Sequence, residues 1–342
     1  MVESTFRGMK EPITALCLRE VDILFRPFLH RKINLSTRLV MNRMMQNDEN
    51  TDAKIRYYGT RAMHQIGLII TEPVAVNEAA AARTPDARSL VSGEKLRMWR
   101  KVCRVVHSCG SRIGLQLSHA GMLRQADDAM GPSGINPLTL ERRGQSMNRE
   151  QIRQVVQAFG VSAAVARQIG FDAVAIQGGE DYLIDQFLRP DTNMRDDEYG
   201  GDAVARVRFA CEVVHAVRKA VGRRFSIIFR YHFKGNHHLL ASSPAELASI
   251  LLPLCDAGVD IFDCCGEATQ EPAFAGSPLS VAGWTRLLTR RPVITEGGVG
   301  LSGMPLPAIV RGLQMGEFDL LAVGRAVQAD AEWGSKVRRG DL

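Results

Sequence analysis

The chain has 342 residues, 45% of them hydrophobic, and carries 43 Lys and Arg against 37 Asp and Glu for a formal charge of +6. No apolar run approaches the roughly 18 residues that span a bilayer, and the N-terminal segment lacks a signal-peptide apolar stretch, so a cytoplasmic protein is expected. Basic residues interleaved with acidic ones argue against a nucleic-acid surface, and seven scattered cysteines without C-x-x-C spacing argue against a disulfide framework or a structural metal.

In chain order the candidate strands are RLVMN (38–42), LIIT (68–71), RIGLQL (112–117), AVAIQ (173–177), FSIIFR (225–230), DIFDC (260–264), PVITE (292–296) and DLLAV (319–323). Helical periodicity separates them. A helix is predicted from Val204 to Val221, with Val207, Ala210, Val214 and Val217 on one stripe. Another starts in SSPAEL, with Ser243 as N-cap, Pro244 at the first helical position and Glu246 completing a capping box. Pro253 is expected to end or kink it.

Eight strands, most followed by a helix, point to an α/β fold with a parallel sheet, and eight is the number that closes a (β/α)₈ TIM barrel. No G-x-G-x-x-G follows the first strand to support a doubly wound sheet. No linker or repeat divides the chain, so one domain over 1–342 is expected, with the barrel proper at about 24–330. The longest segments follow the third and fourth strands, which predicts a site roofed by the loops near 118–148 and 178–202 at the C-terminal end of the barrel.

Strand seven runs into Gly297, Gly298 and Gly300, and strand eight into Gly324 and Arg325. Loops after these two strands commonly bind phosphate in barrels, with glycines admitting backbone N–H groups and Arg325 adding a charge-assisted contact. Gln116, Ser118 and His119 end strand three, and Arg230 ends strand five. An amide and a fixed cation there can read the polar edge of a flat heterocycle; alternatively Arg230 pairs with a carboxylate in the barrel mouth.

The segments LFRPFLHRKINLSTRLVMNRMM, YYGTRAMHQIGLIITEP, IGLQLSHAG, FDAVAIQGGEDYLIDQFLRPDTNMRDDEYGG, ITEGGV and VGRAVQAD occur in the order seen in the old yellow enzyme family. The resemblance runs from about Leu24 to about Asp330, and the GGEDYL and RLVMNRMM segments look closest to the barrel of 2,4-dienoyl-CoA reductases. It implies an FMN-dependent (β/α)₈ oxidoreductase in which NAD(P)H reduces the flavin and the flavin reduces an activated C=C or C=N bond of a small substrate, or the reverse. By position it implies that Met41, Asn42 and Met44 lie along the flavin ring, that Gln116 and Arg230 meet its pyrimidine edge, and that Gly297, Gly298, Gly324 and Arg325 hold its phosphate. A homo-oligomer is compatible with this; no membrane or nucleic-acid partner is implied.

Four positions depart from that pattern. Gln177 and Glu180 stand where many members place a His pair or His and Asn to hydrogen-bond a substrate carbonyl, and Asn42 with Arg43 replaces a small residue and Pro. Tyr182, the position often giving a proton to the substrate, is retained, either as proton donor or as an aromatic wall. Ionised Glu180 only accepts hydrogen bonds and repels an enolate. It therefore carries a proton, binds an amine or iminium, acts as a base, or pairs with a loop arginine such as Arg189 or Arg195. The alternative function is a flavin-binding barrel that has lost the reductase reaction.

Overall fold

The computed structural model describes residues 21–42, 50–76, 81–83, 93–234, 239–265, 271–296, 298 and 306–341. All eight expected strands form: β1 Leu39–Met41, β2 Leu68–Ile70, β3 Arg112–Ser118, β4 Ala173–Gly178, β5 Ser226–His232, β6 Ile261–Cys265, β7 Val293–Glu296 and β8 Leu320–Val323. Each pairs in parallel with the next, and β8 pairs with β1, so the sheet closes into a barrel. The helices are α1 Thr51–Met63, α2 Gly93–Ser108, α3 Arg149–Ile169, α4 Arg208–Val221, α5 Pro244–Ala257, α6 Val281–Thr289 and α7 Leu306–Gln314, followed after β8 by Arg325–Ala329 and Trp333–Arg339.

Strand alternation builds two cores. Val40, Leu68, Ile70, Ala173, Ala175, Ile228, Ile261, Ile294, Leu320 and Ala322 fill the barrel interior, joined by Phe28, Ile33 and Leu35 of the antiparallel hairpin Phe28–His30/Ile33–Leu35. The residues between them, among them Met41, Ile69, Leu115, Val174, Phe229 and Phe262, face the helices. A fully buried side chain of this kind stabilises the fold by about 1.5–3 kcal/mol.

The N-terminal end of the barrel is tied by one contact repeated three times. Asp172, Asp260 and Asp319 each precede an even-numbered strand and accept a backbone N–H from the first or second residue of the preceding strand: Ile113 at 2.9 Å, Ile227 at 2.9 Å and Val293 at 3.0 Å. A charged acceptor thereby satisfies an N–H with no ladder partner.

Three local expectations are modified. The Val204–Val221 helix is broken at Val207 into Ala203–Arg206 and α4, with Val207, Ala210, Val214 and Val217 all buried. Ser243 caps α5 by accepting from the Glu246 N–H, but the Glu246 carboxylate turns to the Ser242 N–H and hydroxyl, both at 2.8 Å. Pro253 does not end α5, which continues to Ala257. Its ring removes one helical hydrogen bond, while buried Leu251 and Leu254 hold both sides of the break against the barrel.

Candidate active site

The C-terminal mouth of the barrel collects inward-facing polar residues from six strands. Strand register places Arg230 opposite Gln177 on one side and Asp263 on the other. The Arg230 guanidinium is buried; its Nη1 donates to Asp263 Oδ2 at 2.7 Å and Asn42 Oδ1 at 3.1 Å, while Nη2 donates to Glu180 Oε1 at 3.2 Å and to Glu296. Asn42 also donates to Glu296. Burial opposes the charge on Arg230, but Asp263, Cys265 and Glu296 beside it outweigh that and raise its pKa well above the ordinary value. Arg230 does pair with barrel-mouth carboxylates, from three strands or strand ends at once.

Gln177 joins this cluster to β3. Gln116 Nε2 donates to Gln177 Oε1 at 2.8 Å, and Gln177 Nε2 donates to Glu180 Oε2 at 2.9 Å and Gly179 O at 3.1 Å. Both Gln177 N–H groups are thus engaged, which leaves none for a substrate carbonyl in this arrangement.

Glu180 and the following Asp181 adopt left-handed backbone, with φ of 56° and 65°. Such a conformation costs a non-glycine residue about 1–2 kcal/mol, and the surrounding structure holds it. Asp185 accepts from the Asp181 N–H at 2.8 Å, buried Gln186 donates to the Asp181 carbonyl at 2.7 Å, and Arg189 pairs with the Asp181 carboxylate. Arg189 also forks onto Asp191, and Arg195 onto Asp197. These two arginines are therefore committed within the loop. Neither is the partner of Glu180, a role that falls to Arg230.

Tyr182 caps the short helix Leu183–Leu188 and packs on Ala120 and Leu123 of the loop after β3. Its ring is buried to 8% exposure, and its hydroxyl has no hydrogen-bond partner among the described residues. Cys264 faces outward, with its thiol against Tyr231 and Thr285 and pushed up to about 12 by burial, so it packs rather than reacts. Cys265 faces the mouth, its thiol 3.0 Å from the Tyr231 carbonyl. Met41 buries its side chain in the barrel–helix core. Gly298, with φ of 58°, follows β7, and Gly324 with exposed Arg325 follows the neighbouring β8. Arg43, Met44, Gly297 and Gly300 lie outside the described residues.

Sequence reasoning had named most of this site but missed two members of the Arg230 cluster. Glu296 stood next to the glycines and was passed over for them, and Asp263 was legible only as an inward position in the alternation of β6. No group of three or more His, Cys, Asp or Glu that could hold a metal occurs among the described residues. A groove of about 710 Å³ between α3, α4 and α5, lined by residues such as Cys211, His215 and Asp256, lies outside the barrel and contains none of the site residues.

The model of the NADH:flavin oxidoreductase / NADH oxidase family matches residues 23–341. NADPH dehydrogenase of Bacillus cytotoxicus is 33% identical over 316 residues, covering 88% of each chain. The chain belongs to the NADH:flavin oxidoreductase / NADH oxidase family. NADPH dehydrogenase of Geobacillus sp. (strain WCH70) is 30% identical, covering 91% of this chain and 92% of that protein. Among solved structures, Old Yellow Enzyme from Pichia sp. superposes with a TM-score of 0.79 at 22% identity, covering 94% of this chain and 87% of that one. Morphinone reductase in complex with tetrahydroNAD gives 0.78 at 22% identity, covering 93% and 91%.

The family makes this an FMN-dependent NAD(P)H oxidoreductase. The mouth fits a flavin on two structural counts. Gln116 Oε1 and Arg230 Nε are buried without hydrogen-bond partners among the described residues, and such atoms are costly unless a ligand satisfies them. Glycines follow both β7 and β8, the two strands whose loops frequently bind phosphate in barrels. Among the described residues no helix is long and apolar enough to cross a membrane.

Proposed function

We propose that this barrel transfers hydride from NAD(P)H, through bound FMN, to an activated C=C bond of a small substrate, with Tyr182 giving the proton. When bound, FMN supplies the hydride chemistry. As the family resemblance implies, Gln116 and Arg230 would hold its pyrimidine edge, Met41, Asn42 and Met44 would line its ring, and Gly297, Gly298, Gly324 and Arg325 would hold its phosphate. The observation that carries the reading is the placement of Tyr182: its ring is fixed by Ala120 and Leu123, its backbone by the Glu180–Asp181 turn, and its hydroxyl is left to a ligand. A phenol carries its proton at neutral pH and can donate it as charge develops on carbon.

The test is anaerobic stopped-flow of Tyr182→Phe. FMN content and reduction by NAD(P)H stay as in the wild type, while reoxidation by substrate slows on the order of 10²-fold. Equal reoxidation rates remove Tyr182 as donor, and a purified protein without flavin absorbance removes the whole reading.

A second reading concerns the bond reduced. Glu180 presents acceptor oxygens only, and the Gln177 N–H groups are engaged. A protonated imine, which donates a hydrogen bond and carries positive charge, suits such a site better than an enone oxygen. Glu180→Gln would then raise turnover of a plain enone relative to a cyclic iminium; an unchanged ratio argues against it.

A further inference from the structure

A primary amide is ambiguous, because its oxygen and nitrogen ends are nearly isosteric while one accepts and the other donates. In this site the ambiguity is removed from one end. The Gly179 carbonyl can only accept, and the Glu180 carboxylate, which already accepts from Arg230 Nη2 through Oε1, offers Oε2 as a second acceptor. Gln177 must therefore turn Nε2 toward them and Oε1 toward β3. Gln116 must in turn give Nε2 to Gln177, at 2.8 Å. What remains is Gln116 Oε1, fully buried and without a partner among the described residues.

We propose that Glu180 and Gln177 form a polarity relay that sets the amide orientation of Gln116, so that residues at the substrate position dictate which hydrogen-bonding face the barrel shows to the flavin. Resting on the family's FMN assignment, the relay makes Gln116 present an acceptor, and the matching donor on a flavin is the imide N–H of its pyrimidine ring. A buried carbonyl left unmatched is costly, so an amide held the wrong way round weakens FMN binding directly. Gln177 is in this reading a positioning residue, acting through Gln116. The two departures, Gln177 and Glu180, are then one unit: a carboxylate that fixes direction and an amide that passes it on.

The experiment compares Gln177→Leu, Glu180→Leu and Glu180→Gln as full-length proteins stripped of flavin and titrated with FMN. Fluorescence gives the dissociation constant, and proton NMR with isotope-labelled FMN gives the imide N–H resonance. Gln177→Leu and Glu180→Leu are expected to weaken FMN about tenfold, the equivalent of one lost hydrogen bond, and to move the imide resonance. Glu180→Gln, whose side-chain oxygen can still accept from Gln177, restores both to near the wild-type values. Circular dichroism of the flavin-free proteins separates a lost relay from a lost fold. Should both Leu variants fold and bind FMN with wild-type affinity and imide resonance, the relay is overturned while the flavin reading stands. Should Glu180→Gln behave like Glu180→Leu, a simple charge effect on Arg230 replaces it. A wild-type protein that does not bind FMN ends both.

Discussion

The backbone N–H of Asp181 donates to Asp185 Oδ2 at 2.8 Å, and this bond closes the left-handed turn that places Glu180 and Tyr182 at the barrel mouth. Asp185 is itself fully buried at the start of the short helix Leu183–Leu188. A carboxyl group there is disfavoured as an anion yet must remain an acceptor. The turn is consequently sensitive to proton concentration.

Burial pushes the Asp185 carboxyl up to about 7, against the opposing Asp181 N–H and Arg189. In the unfolded chain the group titrates near about 4. Between these values the folded state holds the extra proton, so this contribution to stability is full below about pH 4 and is lost as pH rises through about 7. Denaturant midpoints measured from pH 4.5 to 8 should fall with pH more steeply for the wild type than for Asp185→Asn, to a first estimate set by this one group. Parallel profiles would show that Asp185 does not titrate in this window.

Arg230→Leu removes the guanidinium that Asp263, Glu180 and Glu296 share. Breaking a buried charge pair from one side costs about 3–5 kcal/mol, because Asp263 stays behind in the barrel interior. The variant should unfold at markedly lower urea and fail to retain FMN through gel filtration. Arg230→Lys should recover only part of the stability, since an ammonium cannot reproduce the fork that spans these partners.

Asp260→Ala acts at the opposite end of the barrel. It strips the acceptor from Ile227 N–H and from Arg218 and Lys32. The expected loss is about 2–4 kcal/mol in urea unfolding, with an unchanged visible flavin spectrum. A changed spectrum would mean that the two ends of the barrel are coupled.

Gly179 lies where β4 ends beside β5, and a Cβ there would meet the backbone nitrogen of His232 at 2.7 Å. Backbone cannot yield as a side chain can. Gly179→Ala should cost about 1–3 kcal/mol and slow substrate-dependent reoxidation more than NAD(P)H-dependent reduction, because it displaces the strand end that carries Glu180. Equal effects on the two half-reactions would count against that local account.

Much of this was legible in the residues. Short continuous apolar runs bounded by polar residues mark all eight strands to within a residue or two, since a buried parallel strand needs unbroken apolar side chains. The Ser243–Pro244 start of α5 was readable because capping is local chemistry. The reach of α5 beyond Pro253 was not, because packing on the barrel decides it. Gln116, Gln177, Glu180 and Arg230 could each be named as strand-end polar residues, but their partners could not: for Glu180 a loop arginine such as Arg189 or Arg195, both close in sequence, was one of several readings left open.

The sequence by itself determined the strand count, the barrel and the identity of the polar residues at the C-terminal strand ends, because these follow from periodicity and local chemistry. Only the tertiary structure decided that Asn42, Glu180, Asp263 and Glu296 all meet Arg230, and that Gln177 spends its donors on Glu180 and Gly179. Barrel closure brings residues from five strands or strand ends, up to 254 positions apart, within hydrogen-bond reach, and no local pattern records which of them will touch.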